Sequence, residues 1–173
     1  LILTTLFAKG HVLLEDVPGT GKTVLAKTLS KSIDSSFSRI ECTPDLIPAD
    51  VTGCSVSHPK TQESQSRTGP IMSSMVLVDE LNRATPRTQS ALLEAMAEGQ
   101  VSVDGNTYKM PEPFFLIATE NPVESEGTFP LPEAQKDRFM MALSIGYPDV
   151  ENEITIIESQ RSVQHPIENV KPC

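Results

Sequence analysis

The sequence predicts an α/β fold built on a parallel β-sheet, and three observations predict it. Five short strand-like segments, several of them apolar runs, alternate along the chain with helix-patterned segments, as in a sheet joined by helical crossovers. The first run leads into a glycine-rich turn, Val17-Pro18-Gly19-Thr20-Gly21-Lys22-Thr23. The third, Ser74-Met75-Val76-Leu77-Val78, continues into two adjacent carboxylates, Asp79 and Glu80, as expected of a buried strand ending at a ligand crevice. A chain of 173 residues suggests about one domain with a substantial core.

Taken in order, residues 1–9 have the pattern of the end of an amphipathic helix, closed by Gly10. Residues 11–15 form a buried strand, with His11 a strand-start residue rather than a ligand. A helix is predicted over 21–32, with Val24, Leu25, Thr28 and Leu29 facing the sheet, and a second strand over 37–42. Residues 44–68 are broken by Pro44, Pro48, Gly53 and Pro59. The polar stretch 55–69 reads as an exposed projection, either a hairpin or a mobile loop. The third strand ends at Asp79-Glu80, and a helix over 86–98 places Ala91, Leu92, Ala95 and Met96 on one face. Residues 100–110 alternate about Asp104-Gly105, a hairpin signal. A fourth strand over 114–119, a loop over 125–132, a short helix over 133–138 and a fifth strand over 140–145 follow. Pro148 starts a last helix, over 150–161, and no internal repeat is found.

The glycine-rich turn carries the chemistry. Two glycines let the backbone curl so that successive N–H groups converge on one anion, and the following helix aims its positive end there. Lys22 would reach the outer phosphates of a nucleoside triphosphate, and the Thr23 hydroxyl would take a Mg²⁺ position. Asp16 stands where the pattern G-x-x-x-x-G-K-[ST] has its first glycine, and a Pro-Gly turn before an ordinary helix start would use similar residues. The carboxylates downstream make the combination far more specific than either half. Alternation along the strand sends Asp79 and Glu80 in different directions, so one can hold Mg²⁺ while the other orients a water. Asn121, at the end of the fourth strand, either positions that water, or senses the terminal phosphate, or only starts the Asn-Pro turn.

The charge balance is acidic, 14 basic against 23 acidic residues for a net −9, which argues against a nucleic-acid footprint. Cys42, Cys54 and Cys173 have no paired or zinc-type spacing, so reduced thiols in a cytosolic compartment are expected. No apolar run approaches the ~20 residues of a membrane span, and no signal peptide is visible. The chain opens on Leu1 inside an apolar run and is read as a piece of a longer protein.

Several segments, in order, resemble the MoxR family of AAA+ ATPases and span nearly the whole chain. They are Glu15-Asp16-Val17-Pro18-Gly19-Thr20-Gly21-Lys22-Thr23, Thr43-Pro44-Asp45-Leu46-Ile47-Pro48 and Asp79-Glu80-Leu81-Asn82-Arg83. After them come Gln89-Ser90-Ala91-Leu92-Leu93-Glu94-Ala95-Met96, Ala118-Thr119-Glu120-Asn121-Pro122 and Leu131-Pro132-Glu133-Ala134-Gln135-Lys136-Asp137-Arg138-Phe139. The Glu-Asp-x-Pro-Gly form of the loop is usual in that family, which accounts for Asp16.

The resemblance implies a three-layer αβα P-loop core over residues 1–147, with strand order 5-1-4-3-2 and inserted hairpins. Residues 148–173 would begin a truncated helical lid, leaving the sensor-two arginine outside this chain. It implies ATP and Mg²⁺ as cofactors, with Pro18, Gly19, Thr20, Gly21, Lys22, Thr23 and Val24 around the nucleotide and Thr23 and Asp79 at the metal. Glu80 would be the base for water, Asn121 the first sensor, and Arg138 a finger reaching a neighbouring subunit's site. A surface ion pair between Asp137 and Arg138 is the other reading of that last residue. Assembly into a ring, commonly a hexamer, and chaperone-like work on protein clients, often with von Willebrand A-domain partners, are further implications.

The projection and the Asp104-Gly105 hairpin match that branch's helix-two insert and pre-sensor hairpin. They carry Lys60 and Arg67 against Glu63, and Lys109 against Asp104, too few cations to grip DNA. A cytoplasmic, protein-directed ATPase is the leading expectation. A DNA-dependent motor, which DNA-stimulated turnover would reveal, and a nucleotide-dependent scaffold with little hydrolysis are the rivals.

Overall fold

A computed structural model of the chain describes residues 1–17, 19–57, 64–123, 127–159 and 166–172. In chain order the elements are α1 (Ile2–Phe7), β1 (Val12–Glu15), α2 (Lys22–Ser32), β2 (Phe37–Glu41), α3 (Pro48–Thr52), β3 (Gly53–Ser57) and β4 (Ser64–Thr68). They continue with β5 (Met75–Asp79), α4 (Pro86–Glu98), β6 (Gln100–Val103), β7 (Asn106–Lys109), β8 (Phe115–Glu120), α5 (Glu133–Lys136), β9 (Met141–Leu143) and α6 (Val150–Ser159). Single 3₁₀ turns stand at Pro70–Met72, Leu81–Arg83 and Pro166–Asn169.

Five strands pair in parallel in the order β2-β5-β8-β1-β9. Counted along the chain this is 2-3-4-1-5, the expected order seen from its other edge. The central strands β1, β5 and β8 are largely apolar because helices cover both faces of the sheet, whereas the edge strand β2, Phe37-Ser38-Arg39-Ile40-Glu41, is mixed. Met75, Val76, Leu77 and Val78 of β5 are all fully buried, and period-two alternation divides them between two cores. Val12, Leu14, Leu77, Phe115 and Ile117 pack with Leu6 of α1 and with Ala26 and Leu29 of α2. Leu13, Val76, Val78, Leu116 and Ala118 pack on the other face with Leu92, Leu93 and Met96 of α4. Each fully buried Leu or Ile contributes roughly 1.5–3 kcal/mol. The three layers follow from that division.

Local signals place several elements. α4 starts at Thr85, whose hydroxyl accepts the Thr88 N–H, continues with Pro86 in the first turn, and stops at Gly99 in the left-handed conformation. The second hairpin turns through Asp104 and Gly105, both at positive φ, as a two-residue connection requires. Residues 53–68 contain an antiparallel pair, β3 with β4, which decides for a hairpin where the sequence left a loop open; residues 58–63 between its strands lie outside the described residues. The one-turn helix α3 before it was not expected from the sequence.

Two expectations are corrected. Lys9, not Gly10, takes the left-handed position after α1. Gly10 is small for another reason: a Cβ there would lie 2.7 Å from the Met140 side chain. In α2 the inward face is Ala26, Leu29 and Ser30, while Val24 is exposed in the first turn, at the mouth of a cavity. The last helix is described to Ser159, and the predicted continuation to Arg161 lies outside the described residues. Its Val150, Ile154, Ile156 and Ile157 are exposed.

His11 is a structural residue, as expected. It is buried, its Nδ1 accepts the Leu116 N–H at 3.0 Å, and its ring meets Phe114 edge-on. Burial pushes its pKa down from 6.5 to about 4. Below pH 6.5 the unfolded chain therefore takes up a proton that the folded chain refuses, so this contribution is complete above pH 6.5 and lost as the pH falls towards 4. Between pH 7 and pH 4.5, His11→Gln should lose about 2 kcal/mol less stability than the parent in urea unfolding. Equal losses in the two proteins would refute this account.

Candidate nucleotide site

The carboxyl ends of β1, β5 and β8 meet at one edge of the sheet, and the loop after β1 closes over them. Gly19 and Gly21 hold φ of 86° and 81°, a left-handed conformation that an L side chain would strain, so the turn depends on glycine at both places. α2 begins directly after it, with its free N–H groups at the turn. Pro18 lies outside the described residues. Lys22 folds its ammonium back onto the loop, donating to the carbonyls of Asp16 at 3.1 Å and Val17 at 2.8 Å.

Asp16 has a structural task that the sequence pattern did not disclose. Its Oδ2 accepts the N–H groups of Ile145 at 2.8 Å and Gly146 at 2.9 Å, and its Oδ1 accepts that of Val17 at 3.0 Å. Burial would raise its pKa, but these N–H bonds and the Lys22 charge together hold the carboxyl below its ordinary value. The start of the loop is thereby tied to the chain after β9.

At the end of β5, Asp79 and Glu80 are set by a residue of the neighbouring strand. The Thr119 hydroxyl donates to Asp79 Oδ1 at 2.7 Å, and its oxygen accepts the Glu80 N–H at 2.8 Å. Glu80 has left the strand, with φ 56° and ψ 50°, a left-handed conformation uncommon for glutamate and concentrated at functional sites. Its carboxylate meets Arg83 at 2.9 Å. Arg39 of β2 reaches Asp79 Oδ2 at 2.7 Å. Behind the turn, the buried Gln89 amide donates to the carbonyls of Leu81, Ala84 and Phe129, which anchors the backbone that follows Glu80.

These groups line one cavity of about 390 Å³, bordered by Asp16, Gly19, Thr20, Gly21, Lys22, Thr23, Val24, Arg39, Asp79, Glu80, Thr119 and Asn121. The sequence-predicted residues of the loop, of β5 and of β8 that are described here thus converge. Asn121 faces the cavity and also serves its turn, its Oδ1 accepting the Val123 N–H at 3.2 Å. Arg138 does not join them. It is exposed and donates to the Leu93 carbonyl at 2.9 Å rather than pairing with Asp137. Arg39 and Thr119 were missed as site residues, because their partner Asp79 lies 40 residues away and no local motif records strand neighbours. Lys136 was missed too. It bonds Glu15 at 2.9 Å and meets Glu120 at 3.3 Å, fastening α5 to the ends of β1 and β8. Cys42 is no nucleophile, since burial first, then the charges of Asp79 and Glu80, push its thiol up to about 12.

Residues 11–141 match the model of the ATPase family associated with various cellular activities, AAA. The chain belongs to this family. It is 57% identical over 172 residues to the Bacillus subtilis protein YeaC, covering 99% of this chain and 53% of that one. It is 47% identical over 156 residues to the chaperone MoxR1 of Mycobacterium tuberculosis, covering 90% of this chain and 41% of that one. A crystal structure of a Cytophaga hutchinsonii protein superposes with a TM-score of 0.86 at 41% identity, over 98% of this chain and 52% of the other. The chain thus spans about half the length of the relatives it matches. Among the described residues, no helix is long and apolar enough to cross a membrane.

The cavity can hold a phosphate chain and a hard cation: the glycine-turn N–H groups and Lys22 supply positive charge, and Thr23 and Asp79 supply oxygens. Asp16→Ala should cost about 2–3 kcal/mol in urea unfolding at pH 7, because three N–H groups lose a charged acceptor. The gap between parent and variant should begin to narrow as the pH falls below the ordinary carboxylate value of about 3.9, and go on narrowing until the depressed Asp16 carboxyl of the folded parent protonates. A gap unchanged down to pH 2 would contradict the assigned role.

Proposed function

We propose that this chain is the nucleotide-binding core of an ATPase that uses Mg²⁺ to hydrolyse ATP and remodels protein clients. The observation that carries the reading is the single cavity in which the glycine turn, Lys22 and Thr23 face the carboxylates at the end of β5. Gly19, Thr20, Gly21 and Val24 border the nucleotide, with Pro18 in the same loop, and Lys22 leaves the loop carbonyls to hold the outer phosphates. Thr23 and Asp79 would hold Mg²⁺, which would supply neutralisation of phosphate charge. Glu80 takes the proton of the attacking water, and its left-handed backbone, anchored by Thr119, sets where that carboxylate starts. Asn121, at the adjoining strand end, orients the same water.

Arg138 acts in trans. Its exposure, and its position outside the cavity its own chain forms, are what a finger for a neighbouring subunit needs. A ring, hexameric as is common in the family, then completes each site. The helix α6 begins the lid domain, and its exposed Val150, Ile154 and Ile157, which share one helix face, are where the rest of that domain packs. The similarity to a chaperone, MoxR1, supports the work on protein clients, and cytoplasmic location and von Willebrand A-domain partners are parts of the same proposal.

Substitutions in the full-length protein separate these roles. Lys22→Ala should weaken ATP binding at least about tenfold in a fluorescence titration, since it removes the loop's only side-chain cation. Glu80→Gln should retain binding and lower turnover by roughly 10²–10⁴, the worth of a positioned base. Turnover at the parent rate would reject Glu80 as the base. Arg138→Ala should bind ATP normally and slow turnover, by roughly 10³–10⁵ if it behaves as fingers do elsewhere. Mixing Arg138→Ala with Lys22→Ala subunits should restore activity, and no restoration at any ratio would rule out action in trans.

A further inference from the structure

Arg39 borders the cavity although neither the loop motif nor the family resemblance assigned it a part. β2 runs parallel to β5 with Arg39 opposite Leu77 and Glu41 opposite Asp79, so Arg39, Glu41 and Asp79 all project from one face of the sheet. The Arg39 guanidinium stands 2.7 Å from Asp79 Oδ2 and 3.7 Å from Glu41 Oε2. Asp79 Oδ1 is held by the Thr119 hydroxyl at 2.7 Å. Both oxygens of the carboxylate assigned to the metal are therefore already engaged, one by a neutral donor and one by a cation.

The three side chains differ in access. Asp79 is 15% exposed, Arg39 42% and Glu41 67%. Asp79 is fixed at a strand end, whereas Arg39 is a long side chain with a second carboxylate already beside it. A guanidinium presents several donors in a planar fork, so it can shift from one acceptor to the other without losing a partner. A divalent cation next to Asp79 would repel a guanidinium bonded to the same group.

We propose that Arg39 is a positioning residue that competes with Mg²⁺ for Asp79. It holds the carboxylate in place while no metal is bound, and it moves to Glu41 when metal-bound nucleotide enters. Lys22 behaves in parallel, resting on the loop carbonyls until phosphates arrive. Both cations facing the cavity thus rest on the protein's own oxygens, and metal and nucleotide displace them together. The site then disfavours a bare cation and takes metal and phosphate as one unit. This inference rests on the ATP and Mg²⁺ reading above. The plainer alternative, an ion pair that only fastens β2 to β5, predicts a stability effect and no change in metal dependence.

The test uses the full-length protein with a fluorescent, non-hydrolysable ATP analogue, titrated with Mg²⁺ and, separately, measured in EDTA. Arg39→Ala and the milder Arg39→Gln should lower the half-saturating Mg²⁺ concentration about three- to fivefold, the worth of one partly exposed ion pair. Arg39→Lys, which keeps the charge, should stay near the parent. Affinity in EDTA should be unchanged in all three. An unchanged or higher Mg²⁺ requirement in Arg39→Gln would overturn the proposal, as would a loss of affinity in EDTA, which would make Arg39 a phosphate contact instead. A parent that binds no nucleotide would overturn the ATPase reading itself, an outcome distinct from both.

Discussion

The hydroxyl of Thr119 is the smallest group on which the most depends. It lies on β8, donates to Asp79 and accepts from the backbone of Glu80, so one oxygen atom sets both residues at the end of β5. The hydroxyl can do this only because β5 and β8 run in parallel and in register, with Val78 opposite Ala118. It also helps to hold Glu80 in a backbone conformation that glutamate rarely adopts. Such a conformation costs of order 1–3 kcal/mol and persists only where the surroundings over-determine it. Here the surroundings are Thr119 on one side and the Gln89 amide, with its three carbonyl acceptors, on the other.

The glycine turn is braced in a comparable way from the opposite direction. Two positive-φ glycines make it possible, but Asp16 makes it fixed, by accepting N–H groups from the chain just after β9. A third tie, from Lys136 to Glu15 and Glu120, holds α5 against the same strand ends. That helix leads directly into Arg138, so the residue proposed to serve a neighbour is mounted on the frame of its own chain's cavity.

The charged groups in and around the cavity are nearly all paired by the protein's own groups. Asp79 faces Arg39, Glu80 faces Arg83, and Lys22 rests on carbonyl oxygens. A site that must bind a highly charged anion together with a divalent cation gains from such pairing. Neither sign is left buried and unpaired, which would cost several kcal/mol. The exposure of Arg39 and Arg83 allows them to move, whereas the largely buried Asp79 stays where the strand puts it.

The sequence by itself determined what is encoded locally. Short strand-like segments marked the five strands, Asp104-Gly105 marked a hairpin, and Gly19, Gly21, Lys22, Asp79 and Glu80 marked residues that line one cavity, because φ preference, periodicity and a strand's end are properties of adjacent residues. Periodicity already misjudged Val24, which lies in the first turn of α2 and faces the cavity instead of the sheet. The tertiary structure alone decided the partners: Arg39 and Thr119 for Asp79, Ile145 and Gly146 for Asp16, Lys136 for Glu15. Those pairs are between 40 and 130 positions apart. They exist because parallel strands joined by crossovers bring remote segments into register. No residue's immediate neighbours carry that information.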